Sequence, residues 1–330
     1  MTATMRAMVI DRFGGPEVLR EAELPRPAPG PGELLVRISH AGVNPADWKT
    51  REGWLSPFFQ YRFPFVLGFD LAGTVVQAGE GADAALIGRR VVAYSRQGYG
   101  EWGSYAEYAA VWANAAVPLP DRVGGAEAAS LPTAGITAWE ALFESGHLQR
   151  GQRVLVHGGA GAVGRIAIQL AREAGAQVAA TCSAANLDDV RALGAALAID
   201  YRAGDIAAAV TAWAPQGVDL VVDAVGQGSL PQAVALTRRG GVVAPIATLV
   251  AGEAPHDAQL AAQRGVRIVP TMSNLQRSPA QLRELTARLA GGALKAPPLT
   301  ILPLAQAAEA HRRVQAGGQR GKFILQVSAS

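Results

Sequence analysis

Apolar positions follow two different rhythms along the chain. Through about the first 125 residues, short β-type runs alternate with glycine and proline punctuation: RAMVIDRF, ELLVRISHAGV, LAGTVVQAG, RRVVAYS and SYAEYAAV. Runs of this length, bounded by turn formers, predict the strands of an antiparallel, barrel-like domain. RPAPGPGE (26–33) joins two of them as a turn-rich connector. From about Gly125 the rhythm becomes strand–helix alternation. AEAASLPTAGITAWEALFESG predicts helices broken at Pro132. RVLVHGG, QVAATCS, LAIDY, VDLVVDAVG and GVVAPIAT predict strands, and VRIVPTM adds one at the sheet's end. Between them AVGRIAIQLAREAG, LDDVRALG, DIAAAVTAWA and LPQAVALTRRG predict helices. Such alternation implies right-handed crossovers and a doubly wound parallel sheet. The last sixty residues break the pattern again. SPAQLRELTARLAGG predicts a helix with Ser278 as N-cap and Pro279 at its first position, LAQAAEAHRRVQAG a second helix, and GKFILQV a strand. The fold class is therefore α/β: a barrel domain over 1–125, completed by 273–330, around an inserted parallel-sheet domain over 126–272.

One junction in the alternation carries chemistry. VLVHGGAGAVGRIAIQLA (154–171) sets glycines between an apolar run and a segment of helical spacing. Val154, Leu155 and Val156 follow one another as in a buried parallel strand. Gly159, Gly161 and Gly164 fit G-x-G-x-x-G, while Val163, Ile166, Ala167 and Leu170 recur on one helical face. The spacing predicts that Gly159 permits a tight turn, Gly161 lets backbone approach a pyrophosphate, and Gly164 lets helix pack on strand. The unpaired N–H groups of the new helix would face the anion, with Gly158, Ala160, Ala162 and Val163 completing the stretch. A plain strand–helix turn is the competing reading. The motif's place between strand and helix, with a further strand from Gln177, favours the phosphate.

Composition narrows the field. The 330 residues are 49% hydrophobic and 17% charged, which suits a soluble chain of two domains. A net charge of +3 without a lysine–arginine run argues against nucleic acid. The single cysteine, Cys182, excludes intrachain disulfides and multi-cysteine metal sites, and its place at a strand end predicts burial. No uncharged apolar stretch of about 20 residues predicts a membrane span. The start, MTATMRAMVIDRFGG, lacks a hydrophobic signal core, so a cytoplasmic location is expected.

Several segments together resemble one family: AGVNPADWKTREG (41–53), FPFVLGFDLAGTVVQAG (63–79), YAEYAAV (105–111), LPTAGITAWEAL (131–142), VLVHGGAGAVG (154–164), LGAALAIDYR (193–202), VDLVVDAVG (218–226) and RGKFIL (320–325). Over essentially its whole length the chain resembles the zinc-independent medium-chain dehydrogenase/reductases, in the NADPH quinone oxidoreductase (zeta-crystallin-like) branch. The resemblance implies a GroES-like catalytic domain, a Rossmann domain, and a homodimer that joins sheets edge to edge through VRIVPTM. In the related zinc alcohol dehydrogenases a cysteine precedes the equivalent of Pro45 and a Gly-His-Glu holds the metal. Here those positions read Asn44 and Gly68-Phe69-Asp70. A zinc site needs three ligands of Cys, His or carboxylate type, and Phe69 cannot serve. The histidines His40, His147, His157, His256 and His311 are scattered singly and read as surface or satisfied polar residues. No metal is expected.

Without a Lewis acid an ordinary ketone is hard to reduce, whereas a quinone or activated alkene accepts hydride readily. Holding the nicotinamide against the acceptor is then most of the protein's task. The resemblance places Asn44 beside the nicotinamide ribose. Five residues on, where many bacterial relatives have tyrosine, this chain has Lys49, either a functional polar group or a solvated surface lysine. Of the 20 aromatic residues eight fall between Trp48 and Phe69, and alternation in FQYRFPF predicts that Phe59, Tyr61, Phe63 and Phe65 share a face. GWLSPFFQY reads as an irregular loop whose aromatics either pack or form a flat acceptor site, with Tyr61 the third catalytic candidate.

The strand after the glycine-rich turn ends at Ser183 and Ala184 with no acid to bind a ribose 2′-hydroxyl, which favours NADPH. Relatives commonly carry a basic residue where this chain has Ala185, leaving Ser183, Tyr201 and Arg202 as partners of the 2′-phosphate. The resemblance adds Thr137, Val225, Ala247 and Lys322 to the cofactor-binding set. An enoyl-thioester or enone reductase is the runner-up. Arg51 and Arg62 would lie at the mouth of its tunnel, or else be solvated surface residues. A non-catalytic NADPH-binding protein is the reading from another class.

Overall fold

The computed structural model describes residues 3–226, 228–246, 256–274, 277–318 and 320–328. The chain divides into two compact units, Met1–Thr133 with Leu275–Ser330, and Ala134–Asn274. The hydrophobic rhythm puts the first junction at 125/126, and the structural break falls after Thr133. The reason is the helix Gly125–Ala129, which packs on the strands Glu33–Val43 and Asp70–Ala78 of the first unit.

The first unit is built around Glu33–Val43, which is buried along nearly its whole length. One edge of this strand pairs antiparallel with Asp70–Ala78. The other edge is shared: residues 33–37 pair with Tyr108–Trp112, and residues 40–43 pair with Lys322–Gln326. Two register shifts against Asp70–Ala78 bend the strand, as bulges do at barrel corners. The seven-stranded sheet also includes Leu299–Pro303, Arg90–Tyr94 and Val117–Pro118, and a three-stranded sheet joins Arg20–Pro25, Thr4–Ile10 and Phe65–Val66. Val36, Ile38, Leu71, Val91, Tyr105 and Phe323 lie in one buried cluster beneath these strands. Register then decides chemistry. Val43 stands opposite Phe323 and Gly42 opposite Asp70, so Asn44, Lys322 and Asp70 arrive together at one end of three adjacent strands.

The second unit is a six-stranded parallel sheet in the order Leu197–Asp200, Gln177–Cys182, Arg153–His157, Val218–Asp223, Thr237–Pro245 and Arg267–Ile268. It is the doubly wound arrangement expected from the alternation, with Cys182 buried. Two local expectations need correction. The helix predicted over 230–240 is confined to Ala233–Leu236, because pairing of Thr237 with Val218 and the 2.5 Å ion pair of Arg238 with Asp219 extend the next strand backwards. Ser278 is not an N-cap: it is the buried first residue of the helix Ser278–Gly291, and Arg277 takes the cap position. Among the described residues no helix is long and apolar enough to cross a membrane.

Candidate active site

In the first unit a polar group is buried among the strand ends. Lys322 Nζ donates to Asn44 Oδ1 and lies 3.0 Å from Asp70 Oδ2, which also accepts from Asn44 Nδ2 at 2.9 Å. The other oxygen of Asp70 accepts from Thr133 N at 3.0 Å and Thr133 Oγ1 at 2.5 Å. Asn44 opens the helix Pro45–Arg51, and Asp47 reaches back one turn to take the Asn44 N–H at 2.7 Å. Asp47 also accepts from Phe69 N at 3.0 Å, Tyr105 Oη at 3.2 Å and Gln97 Nε2 at 3.4 Å. Burial, and after it the Asp70 carboxylate, raises the Asp47 carboxyl to about 7 against the Asn44 and Phe69 amides and Lys322.

A directed chain of donors runs out of this group. Arg51 Nη1 lies 3.1 Å from His311 Nδ1, and His311 Nε2 lies 3.1 Å from Tyr105 Oη. A guanidinium only donates, so Nδ1 accepts, Nε2–H donates to the phenol oxygen, and the phenol proton is left for Asp47. Burial and then Arg51 push His311 down to about 3, so the ring is neutral. Arg51 itself is fully buried, donating to Gly14 O at 2.9 Å, Glu52 at 2.7 Å and Gln315 at 2.9 Å. The surface reading of Arg51 is therefore wrong, while Arg62 is exposed as expected.

Lys49 is likewise not a solvated surface lysine. It is buried, with Nζ 5.6 Å from the ring centroids of both Trp48 and Trp54. Tyr61 stands edge-on to Phe13 at 5.7 Å and Phe65 at 4.8 Å, and burial pushes its hydroxyl up to about 12. Its ring serves aromatic packing. Phe63 joins Phe13 in that cluster, but Phe59 pairs with Tyr99, so the four alternating aromatics do not share one face. Sequence reasoning missed Asp47, Gln97, Tyr105 and the partners of His311. The capping-box spacing from Asn44 to Asp47, and an aspartate inside the apolar run at Asp70, were the available signals.

In the second unit one of the three glycine roles moves by a residue, while Gly161 stays open to approach and Gly164 tightly packed. Gly158, at φ +84°, makes the tight turn assigned to Gly159. A Cβ on Gly159 would stand 2.9 Å from Ala180 Cβ, and one on Gly164 2.3 Å from Gly158 O, so both are needed for close packing. A Cβ on Gly161 would meet only Gly158 O, at 3.5 Å, and the helix Ala162–Glu173 begins there without a side-chain cap. Its first-turn amides and this open approach fit a pyrophosphate.

The turn is anchored from below. Gly158 N donates to Thr181 Oγ1 at 3.1 Å, and Thr181 Oγ1 lies 2.7 Å from His157 Nδ1. His157 Nε2 lies 3.0 Å from Ser229 Oγ, which donates to Gly226 O at 2.7 Å. Burial lowers the His157 pKa, which keeps the ring neutral and this chain of bonds intact. Asp223 accepts from Val225 N at 3.1 Å and Gly226 N at 2.9 Å, fixing the neighbouring loop. Val225 is half exposed and lies over Gly158, while Thr137 is buried in the helix Pro132–Trp139.

At the next strand end Cys182 stands opposite Asp200, which brings Ser183 beside Tyr201 and Arg202. Asn186 Nδ2 donates to Ser183 Oγ at 2.9 Å, Arg202 Nε to Tyr201 Oη at 3.2 Å, and Ala185 is exposed. Ala247 lies outside the described residues.

Two family models match the chain: "Alcohol dehydrogenase GroES-like domain" over residues 30–121 and "Zinc-binding dehydrogenase" over residues 193–325. The quinone oxidoreductase of Rattus norvegicus is 31% identical over 326 residues, covering 97% of each chain. The chain belongs to the zinc-independent quinone oxidoreductase family of medium-chain dehydrogenase/reductases. A quinone oxidoreductase from Coxiella burnetii has the same fold, at a TM-score of 0.88 and 30% identity, covering 99% of this chain and 100% of its own. A chloroplastic quinone-oxidoreductase homolog of Spinacia oleracea is 40% identical over 194 residues, 57% of this chain and 58% of its own length. The match spans about three fifths of the length of the chloroplast relatives. Membership brings a nicotinamide dinucleotide cofactor, and the glycine-rich turn fits one. Despite the name of the second model, no group of three or more His, Cys, Asp or Glu among the described residues is placed to hold a metal ion.

Proposed function

We propose that this protein is an NADPH-dependent oxidoreductase that reduces a quinone or an activated alkene. The observation that carries the reading is the polar group at the strand ends. Where the zinc enzymes have metal donors, this unit has Asn44 and Phe69, and the cation beside them is the buried Lys322, paired with Asp70. Such a site suits an acceptor that needs no Lewis acid. The cofactor, when bound, supplies the hydride.

The chain's own residues divide the remaining work. Gly161 and the amides after it, with Gly158 to Val163, would bind the pyrophosphate. Ser183, Tyr201 and Arg202 would receive the adenosine ribose and its 2′-phosphate, and Arg202 supplies the positive charge that Ala185 does not. Thr137 and Val225 would line the nicotinamide half. Asn44 and Lys322 would hold its ribose, and Lys49, buried beside the paired rings of Trp48 and Trp54, is the proposed proton source. The reading includes a cytoplasmic homodimer paired through Arg267–Ile268 at the sheet's edge.

The test is oxidation of NADPH and of NADH against 1,4-benzoquinone, 9,10-phenanthrenequinone, an alkyl enone and crotonyl-CoA. Turnover of the quinones or the enone with a preference for NADPH is expected. Turnover of crotonyl-CoA alone would move the assignment to an enoyl-thioester reductase, and tight NADPH binding without turnover to a binding protein.

A further inference from the structure

Three side chains at the strand ends are tied by a fixed grammar of donors and acceptors. Lys322 Nζ can only donate, and the carboxylate of Asp70 that faces it can only accept. Asn44 lies between them, giving Oδ1 to Lys322 and Nδ2 to Asp70 at 2.9 Å. Its carboxamide therefore has one direction in which both bonds form. Reversing it would set an NH₂ against an ammonium and a carbonyl oxygen against a carboxylate. Asp70 is held in turn by Thr133 through its other oxygen, and Asn44 N by Asp47 at 2.7 Å, so the frame around the amide is rigid. All three side chains are buried, Asn44 at 2%, Asp70 at 0% and Lys322 at 5% exposure.

A buried ion pair is a poor way to gain stability, because desolvation of two charges offsets most of their attraction and an apolar pair often does as well. A fixed amide direction is what this one achieves. We infer that Lys322 and Asp70 are positioning residues whose ion pair sets the direction of the Asn44 carboxamide toward the nicotinamide cofactor. The inference rests on the proposed contact between Asn44 and that cofactor. With one lone pair on Oδ1 and one N–H on Nδ2 already used, the pair decides which side of Asn44 presents its remaining acceptor and which its remaining donor. Lys322 and Asp70 then act on affinity through Asn44, whether or not Lys322 also touches the ribose.

The experiment measures NADPH dissociation constants by fluorescence titration, alongside melting temperatures. Asn44→Ala comes first and should weaken binding. Unchanged affinity there overturns the placement of Asn44, and the inference with it. Lys322→Met leaves the Asp70 carboxylate buried without its cation and should lower the melting temperature sharply. Asp70→Asn with Lys322→Met removes both charges and keeps an acceptor for Thr133, so stability should return toward wild type. In that double variant the new amide at residue 70 turns its NH₂ toward Asn44, which favours the reversed carboxamide. The expected result is recovered stability with NADPH affinity still about tenfold below wild type. Recovered stability with wild-type affinity would show that the pair only supports the fold, and would overturn the inference. Because Lys322 is itself proposed to hold the ribose, the isosteric Asp70→Asn, which keeps that lysine, is the deciding variant. It sets donors of residue 70, Asn44 and Lys322 against one another and should weaken NADPH, and wild-type affinity in it overturns the inference.

Discussion

At Gly161 an added Cβ would meet only the Gly158 carbonyl, at 3.5 Å, whereas at Gly164 it would stand 2.3 Å from the same oxygen and 2.8 Å from Gly159 Cα. Two glycines of one motif therefore answer to different demands. Gly161→Val should leave the circular dichroism and melting temperature near wild type and abolish NADPH binding in a calorimetric titration. Gly164→Val should destabilise the protein by about 2–4 kcal/mol, because backbone and not a flexible side chain must move. Wild-type affinity in a folded Gly161→Val protein would remove the phosphate assignment. The motif's spacing was legible in the sequence, but the division of labour was not. Which residue takes the left-handed turn depends on how the strand meets the helix, and Gly158 precedes the motif as written. The same limit applied to Lys49 and Arg51. Charge predicts exposure until partners are known, and apart from Glu52 those of Arg51 come from residues 14 and 311–315, far away in the chain.

The helices Pro45–Arg51 and Ala307–Ala316 meet through Arg51 and His311, and this contact has a pH signature. Burial, then the Arg51 charge, holds His311 near 3 in the folded chain, against about 6.5 when unfolded. The folded pKa is depressed, so below 6.5 the unfolded chain binds a proton that the folded one refuses. The stability His311 contributes is full above about 6.5 and falls with acidification, by about 1.4 kcal/mol per pH unit, until the folded pKa is reached. His311→Gln should make the melting temperature fall less, or rise more, on going from pH 6.5 to 5 than it does in the wild type. An unchanged slope would mean the ring is charged in the native protein. Asp47 opposes this trend over the same range, since its raised pKa makes stability fall as pH rises from about 4 to 7. Most elements could be read from the pattern because their apolar faces are long: Glu33–Val43 is buried but for Arg37 and Ser39, and the glycine-rich turn sits between clear neighbours. Arg20–Pro25 escaped because REAELP buries only Leu24, leaving no alternation to read. The polar group escaped because strand register, invisible in one sequence, brings residues 44, 70 and 322 together.

At the scale of the whole molecule, the first unit is interrupted: the chain leaves it after Thr133 and returns at Leu275. On the ribosome this becomes a matter of waiting. The edge of the barrel strand at residues 40–43 is made early, and its partner Lys322–Gln326 only after the whole inserted unit. At roughly 5–20 residues per second the delay is on the order of tens of seconds. Throughout it the unpaired backbone edge at Ala41–Val43 is open to pairing with other chains, and Asp70 lacks its Lys322 partner. The parallel-sheet unit is continuous and completes its own core before the barrel can close. Nascent chains arrested at about residue 315 should thus show a protease-resistant fragment from 134–274, a labile barrel, and capture by a chaperone that releases only once Lys322–Gln326 emerges. Equal protection of both units at that length would mean the barrel closes without its last strand. On this account the newest residue to reach the site, Lys322, is also the latch that ends the protein's most vulnerable period.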